Sequence, residues 1–271
     1  MEHWTLDDIA WERFDRSKLD PKLVNIVKAA CMVEHHGGDY GSYLCSIFRD
    51  DPEFCEAAVS WAEEEIQHGK VLRRYAELAD PDFDFDESFS RFVRGHQLPL
   101  DAKESVRGSL CGELVARCIV ESGTSSYYSA LRDATDEPVF KEICRRVAAD
   151  EFRHYKLFYT HMKRYREREK LSKWSRARVA FGRLAESSDD ELAYAYYCSS
   201  DDPLPYDRRR CVRAYAGQTL PLYRFGHVER GFGMVLKAIG IEPQRWFGRR
   251  LTKLAWWFLR YRARQLAHIP A

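Results

Sequence analysis

The sequence contains Glu-x-x-His twice, at Glu65-Ile66-Gln67-His68 and at Glu151-Phe152-Arg153-His154. Residues three apart on an α-helix sit one turn apart on the same face, so each motif sets an oxygen donor beside a nitrogen donor. Each motif also follows a lone Glu on a helix of its own: Glu34 lies 31 residues before Glu65, and Glu121 lies 30 before Glu151. With 22 Glu and 9 His in 271 residues, chance supplies roughly 0.7 such motifs, so either copy alone means little. The duplication carries the weight. Glu34 to Glu121 spans 87 residues and Glu65 to Glu151 spans 86, as expected if two helical hairpins of similar length each supply half a site.

All four positions lie inside apolar stripes of helical period. The first helix is expected from Pro21, capped by Asp20, with the stripe Leu23, Val27, Ala30, Glu34, Gly37, Gly41, Leu44 and Phe48. Gly37, Gly38 and Gly41 weaken it just beyond Glu34 and signal a close helix approach, a break, or space for a substrate. The second helix starts at Asp51-Pro52-Glu53 and reads Phe54, Ala58, Trp61, Glu65, His68, Leu72, Tyr75, Ala79, which leaves Glu63 and Glu64 off the inward face as solvated residues. A long crossover with Phe83, Phe85, Phe89 and Phe92 then runs to Pro99. The third helix is expected from Asp101, whose spacing to Glu104 resembles a capping box, and carries Val106, Leu110, Leu114, Cys118, Glu121, Ser125 and Tyr128. The fourth follows Pro138 with Phe140, Cys144, Val147, Glu151, His154, Phe158, His161 and Tyr165.

A carboxylate facing a core is rarely tolerated unless paired or metal-bound. Two helices giving one Glu each and two giving Glu-x-x-His is how di-iron and di-manganese carboxylate proteins hold their metals. The expected fold is therefore all-α: a ferritin-like four-helix bundle over residues 1–170, with additional C-terminal helices over residues 171–271 packed on it.

The second and fourth helices resemble those of the soluble acyl-carrier-protein desaturases, a branch of the ferritin-like di-iron carboxylate superfamily. Trp61 through Gly69, followed by Val71-Leu72-Arg73-Arg74-Tyr75, is similar to that family's Trp-x-x-Glu-Glu-x-x-His-Gly helix, and Ala148-Ala149-Asp150-Glu151-Phe152-Arg153-His154 to its Ala-Ala-Asp-Glu-x-Arg-His. Glu121-Ser122-Gly123-Thr124 resembles its Glu-Arg-Ala-Thr segment. The resemblance covers roughly Pro21 to Tyr165. It implies Glu34, Glu65, His68, Glu121, Glu151 and His154 as ligands of two iron ions, with manganese or a mixed pair as the alternative. It also implies Asp150 orienting a ligand His, Trp61 on an electron path, and Thr124 as a catalytic hydroxyl near the oxygen-binding side. Departures are Glu34-His35-His36 in the first helix, Gln67 in place of an Arg, and the unmatched C-terminal part. Glu151 to Tyr155 is also similar to a helix of a tRNA-modifying hydroxylase, and rubrerythrin-like peroxidases share the six ligands.

The ligand set suits iron or manganese with positions open to dioxygen. The expected activity is dioxygen-dependent desaturation or hydroxylation of an organic substrate such as a fatty acyl chain, small or carrier-bound. The alternatives are a peroxidase, ferroxidase or metal-binding protein, and a tRNA-modifying hydroxylase. With no flavin or iron–sulfur motif in sight, an external ferredoxin or reductase is implied, and a homodimer is the expected assembly. The bland readings are buried salt bridges for the six residues, a backbone-bonded hydroxyl for Thr124, core packing for Trp61, a packed or surface His161, and His35 and His36 beside the ligands or facing solvent.

Charge is uneven. Residues 1–170 hold 25 Lys plus Arg against 33 Asp plus Glu, and residues 171–271 hold 18 against 9. Helices are expected near Lys170 to Arg183, Asp189 to Cys198, Tyr206 to Gly240 with an interruption at Pro221, and Gln244 to Ala267, with a loop at Asp201 to Pro205. The last sets Leu251, Leu254, Ala255, Phe258 and Leu259 on one face amid Arg and Lys, with Trp256 and Trp257 at the boundary. Packing on its own domain is the expected use of that face; peripheral membrane contact through residues 244–267 or docking of an acidic partner is the alternative. Nucleic acid is not expected as a partner at a pI of 7.6. The eight Cys show no Cys-x-x-Cys spacing and the start of the chain no signal peptide, so a cytoplasmic protein is expected.

Overall fold

Asp20, Asp51 and Glu137 each precede a proline, and each side chain accepts a hydrogen bond from a first-turn N–H, those of Lys22, Phe54 and Phe140. The acidic caps satisfy otherwise orphaned donors, while the prolines occupy positions that need none. The computed structural model describes residues 3–186, 190–200 and 204–267, and every regular element among them is helical. Besides four short 3-10 helices, the α-helices in chain order are α1 (Pro21–His35), α2 (Gly37–Ile47), α3 (Pro52–Ala79), α4 (Phe85–Gly95), α5 (Leu110–Ala134), α6 (Pro138–Glu169), α7 (Lys173–Glu186), α8 (Asp190–Cys198), α9 (Arg208–Thr219), α10 (Phe225–Ile239) and α11 (Trp246–Ala267).

The main pairings are α5 with α6, α1 with α3, and α2 with α3, with α3 also meeting α6. Two apolar clusters fill the space between them. One holds Ile26, Val27, Leu72, Tyr75, Tyr128, Phe140 and Val147; the other holds Leu44, Phe54, Trp61, Leu114, Cys118, Phe158 and Met162. On α3, α5 and α6 the six-residue pattern falls between the two clusters, and Glu34 falls at the end of α1 before the second begins.

One open reading is resolved and two sequence expectations are corrected. The break that the glycines could signal is present: the first helix is two, α1 and α2, joined at His36. The glycines beyond the junction admit α3: a Cβ on Gly37 would lie 2.4 Å from Glu65 Cβ, and one on Gly41 would lie 2.6 Å from Ala62 Cβ. The third long helix begins at Leu110, not at Asp101. Ser109 is its cap, accepting from Gly112 N, and Gly108 at φ 78° keeps the preceding residues in turns. The expected crossover loop contains α4, whose Phe85 and Phe92 are buried.

Residues beyond 170 join the same cores. Ala193, Cys198, Cys211 and Tyr215 belong to the first cluster and Ala180, Val235 and Leu236 to the second. α10 lies on α5, and α8 on α1 and α4. α11 packs on α9 and α10, but Leu254 and Phe258, expected on its packed face, are exposed together with Trp257. Its tighter contacts come instead from Gly248, whose missing Cβ leaves room for the backbone of Glu242 and Pro243, and from the buried Thr252. No helix among the described residues is long and apolar enough to cross a membrane. Asp189 and Asp201-Asp202-Pro203 of the expected C-terminal elements lie outside the described residues.

Candidate metal centre

Glu34, Glu65, His68, Glu121, Glu151 and His154 are all buried and converge on one spot. They form two overlapping sets whose donor atoms lie within 4.8 Å of one another: Glu34, Glu65, His68 and Glu151, and Glu65, Glu121, Glu151 and His154. Glu65 and Glu151, the carboxylates of the two Glu-x-x-His motifs, belong to both. Each set then has one Glu and one His of its own. His68 Nδ1 lies 3.3 Å from Glu151, 3.7 Å from Glu34 and 3.8 Å from Glu65. His154 Nδ1 lies 3.0 Å from Glu65 and 3.7 Å from Glu121.

These approaches are not a closed hydrogen-bond network. Glu65 Oε1, His68 Nδ1, Glu151 Oε1 and His154 Nδ1 are buried without a hydrogen-bond partner, an uncommon condition in a folded interior. Buried donor atoms that face a shared interior point with no hydrogen-bond partner are what a cation would satisfy. Four carboxylates and two imidazoles are the donor chemistry of paired iron or manganese ions, so these residues fit such a pair.

The outer nitrogen of each imidazole is held. His68 Nε2 donates to Asp150 Oδ2 at 3.1 Å, and His154 Nε2 donates to Glu64 Oε2 at 2.8 Å. This fixes the tautomer that leaves Nδ1 free to ligate. Asp150 thus contacts a His as the family resemblance implies. Glu64 corrects the solvated reading: the crossing of α3 and α6 brings it against His154 and leaves it half-buried, while Glu63 is exposed. Arg153 ties the two carboxylates together, donating to Asp150 Oδ1 at 2.7 Å and to Glu64 Oε2 at 2.9 Å.

The first residues of the chain carry no motif, yet they complete this shell. Trp4 Nε1 donates to Asp150 Oδ2 at 2.6 Å, and its ring stacks on His68 at 6.0 Å between centroids. His3 Nε2 stands 3.0 Å from the same oxygen. Gln67, where the resembled family has Arg, donates to the Trp4 carbonyl at 2.6 Å.

Other neighbours address the remaining carboxylates. Tyr128 donates to Glu34 Oε1 at 2.5 Å. Arg117 donates to Glu121 Oε1 at 3.2 Å and lies over the Trp61 ring at 4.8 Å. Thr124 donates to Glu151 and also approaches the Val120 carbonyl at 3.2 Å, so it combines a contact to the site with the backbone bond of an ordinary helix hydroxyl. Trp61 packs edge-on to His154 at 6.4 Å. His161 stands apart, against Phe54 and Arg164.

Protonation reflects a site crowded with charge. Burial and the Glu65 charge push the Glu34 carboxyl up to about 8, and burial with the Glu151 charge pushes Glu121 well up. Glu65 is also pushed up by burial, but contacts from His154 and His68 outweigh this and hold it well below the usual range. Burial disfavours charge on both imidazoles; Asp150 and Glu151 around His68, and Glu64 and Glu65 around His154, raise them well above the ordinary value. Retained protons therefore do part of what two cations would do.

A cavity of about 60 Å³ adjoins the centre; Glu34, Glu65, Glu121, Thr124 and Glu151 line it, as do Tyr40, Arg117, Arg183 and Glu191. Pockets for drug-sized or cofactor ligands run about 300–1,000 Å³; this one has the scale of dioxygen, peroxide or a few waters.

Comparison with known protein families finds no family model that matches the chain, and no curated protein matches it.

Proposed function

We propose that this chain is a ferritin-like di-iron oxidoreductase that activates dioxygen to desaturate or hydroxylate an organic substrate. One observation carries the reading: the two motif carboxylates, Glu65 and Glu151, belong to both donor sets, so each would be within reach of both ions of a metal pair. Glu34 and His68 would complete one iron, Glu121 and His154 the other. When bound, a ferrous pair supplies two electrons and open positions to dioxygen, and an external donor restores the electrons.

The chain's residues then have distinct work. Glu64 and Asp150 hold Nε2 of each imidazole, so that Nδ1 is the nitrogen turned toward the metals. Tyr128 and Arg117 hold Glu34 and Glu121. Thr124, which lines the cavity and donates from Oγ1 to Glu151, would hold that hydroxyl proton beside the site. The apolar clusters on either side keep bulk water out.

The test is anaerobic ferrous loading, metal counting, and a measured pulse of dioxygen with a chemical reductant. Two irons per chain with dioxygen consumption, both lost in Glu151→Ala, are expected. No specific iron in the parent chain, or two irons retained by the variant, would overturn the reading.

The cavity favours a second reading. Its volume of about 60 Å³ suits peroxide or a ferrous ion better than an acyl chain. A peroxidase or ferroxidase would turn over peroxide or ferrous iron with no carrier present; an oxygenase would couple dioxygen use to an added organic substrate.

A further inference from the structure

A second group of ligating side chains lies outside the dinuclear centre and shares none of its residues. His36 sits at the junction of α1 and α2, His96 directly follows α4, and Glu191 is in the first turn of α8. One ligating atom from each lies within 4.8 Å of the others. His96 Nε2 and Glu191 Oε1 are 3.4 Å apart. Two donors bound at about 2.0–2.2 Å to one tetrahedral ion stand at about that separation.

The His96 and Glu191 atoms that approach each other are unsatisfied, and His36 also has an unsatisfied ring nitrogen. His36 Nδ1, His96 Nε2 and Glu191 Oε1 are buried and make no hydrogen bond, and His36 as a whole is only 3% exposed. Their other atoms are engaged. His36 Nε2 donates to Asp39 Oδ2 at 2.8 Å, which leaves Nδ1 with a free lone pair, the carboxylate–histidine arrangement that supports a metal ligand. Tyr40 donates to Glu191 Oε2 at 3.0 Å. Phe92 stacks on His96 at 5.5 Å and meets the His36 ring edge-on at 5.6 Å, fixing both imidazoles.

We propose that His36, His96 and Glu191 form a mononuclear site for a divalent first-row metal ion, zinc or ferrous iron. Two neutral imidazoles and one carboxylate are ligands such ions accept, and three protein ligands leave a position for water. The ion ties α8 to the α1–α2 junction and to the end of α4. It would also adjoin the cavity beside the first centre, because Glu191 is one of the residues that line it together with Glu34 and Glu65.

Cobalt(II) is the probe, since its visible absorption reports coordination number while metal analysis counts ions. The full chain is stripped with chelator, loaded with cobalt and dialysed, in parallel with His96→Ala and Glu191→Gln. The parent is expected to hold one cobalt per chain more than either variant, with the lost absorption of four- or five-coordinate type. Equal cobalt content in the parent and both folded variants would overturn the site. Glu191→Gln keeps shape and size, so it decides alone if His96→Ala fails to fold. Glu151→Ala separates the two centres: it is expected to keep the cobalt that His96→Ala removes, whatever the dinuclear site does.

Discussion

Glu64 Oε2 lies 2.8 Å from His154 Nε2, on the side of the imidazole turned away from the buried carboxylates. A residue outside the donor sets therefore decides which nitrogen of His154 faces the centre. Glu64→Ala removes that constraint without removing a ligand. Loss of such a partner typically costs about 10–100-fold in metal affinity, and competition with a coloured chelator would measure it. Unchanged affinity would mean that packing against Trp61 alone orients the ring.

Asp150 has the parallel task on His68, and it also receives Trp4 and Arg153. Asp150→Asn keeps the volume but places an amide where an acceptor is required. Both metal loading and the docking of the first residues should suffer. Limited proteolysis of the N-terminal segment should accelerate in the variant, whereas Glu64→Ala should leave it near the parent rate.

The metal-free protein should lose stability as pH rises from about 4.5 through about 8. Glu34 titrates at about 8 in the fold against an ordinary 4.5, so between those values the folded state holds a proton that the unfolded state has released, and the linkage slope is negative. His68 and His154, also raised, act in the same direction: their contribution is complete below the ordinary 6.5 and lost as pH passes their raised values. Metal must displace these protons, so loading near neutral pH should release them and apparent affinity should rise with pH. Calorimetry in buffers of different ionisation enthalpy checks the release, and melting curves of apo and loaded protein check the sign. A melting temperature of the apo protein that rises across this interval would contradict the assignment.

Gly37→Ala should be far more costly than an exposed glycine substitution. The new Cβ would lie 2.4 Å from Glu65 Cβ, and overpacking of this kind costs about 1–3 kcal/mol. Because the clash falls on a shared carboxylate, metal content should drop along with the melting temperature. Gly123→Ala, where a Cβ meets nothing within 4 Å, is the control and should be neutral or slightly stabilising through helix propensity.

Much of the centre is legible in the amino-acid sequence, and the reason is local geometry. Glu65 with His68 and Glu151 with His154 share a helix face by spacing alone, and their place inside apolar stripes marks them as inward. Asp20, Asp51 and Glu137 before prolines set the starts of α1, α3 and α6 in the same way. Where two local signals compete, the sequence misleads. Asp101 resembles a cap, but Ser109 behind Gly108 is the cap that a helix follows, and the phenylalanines of the crossover are a helix face.

What only the tertiary structure decided depends on how helices cross. Glu63 and Glu64 are adjacent in α3; the approach of α6 alone makes one solvated and the other the partner of His154. Leu254 and Phe258 read as a packed face of α11, but both lie exposed. Trp4 and His3 meet Gln67, His68 and Asp150 across more than sixty residues of chain, and His36, His96 and Glu191 come from three segments with no shared spacing. Helical periodicity states which side of a helix is turned inward; it does not state what waits there.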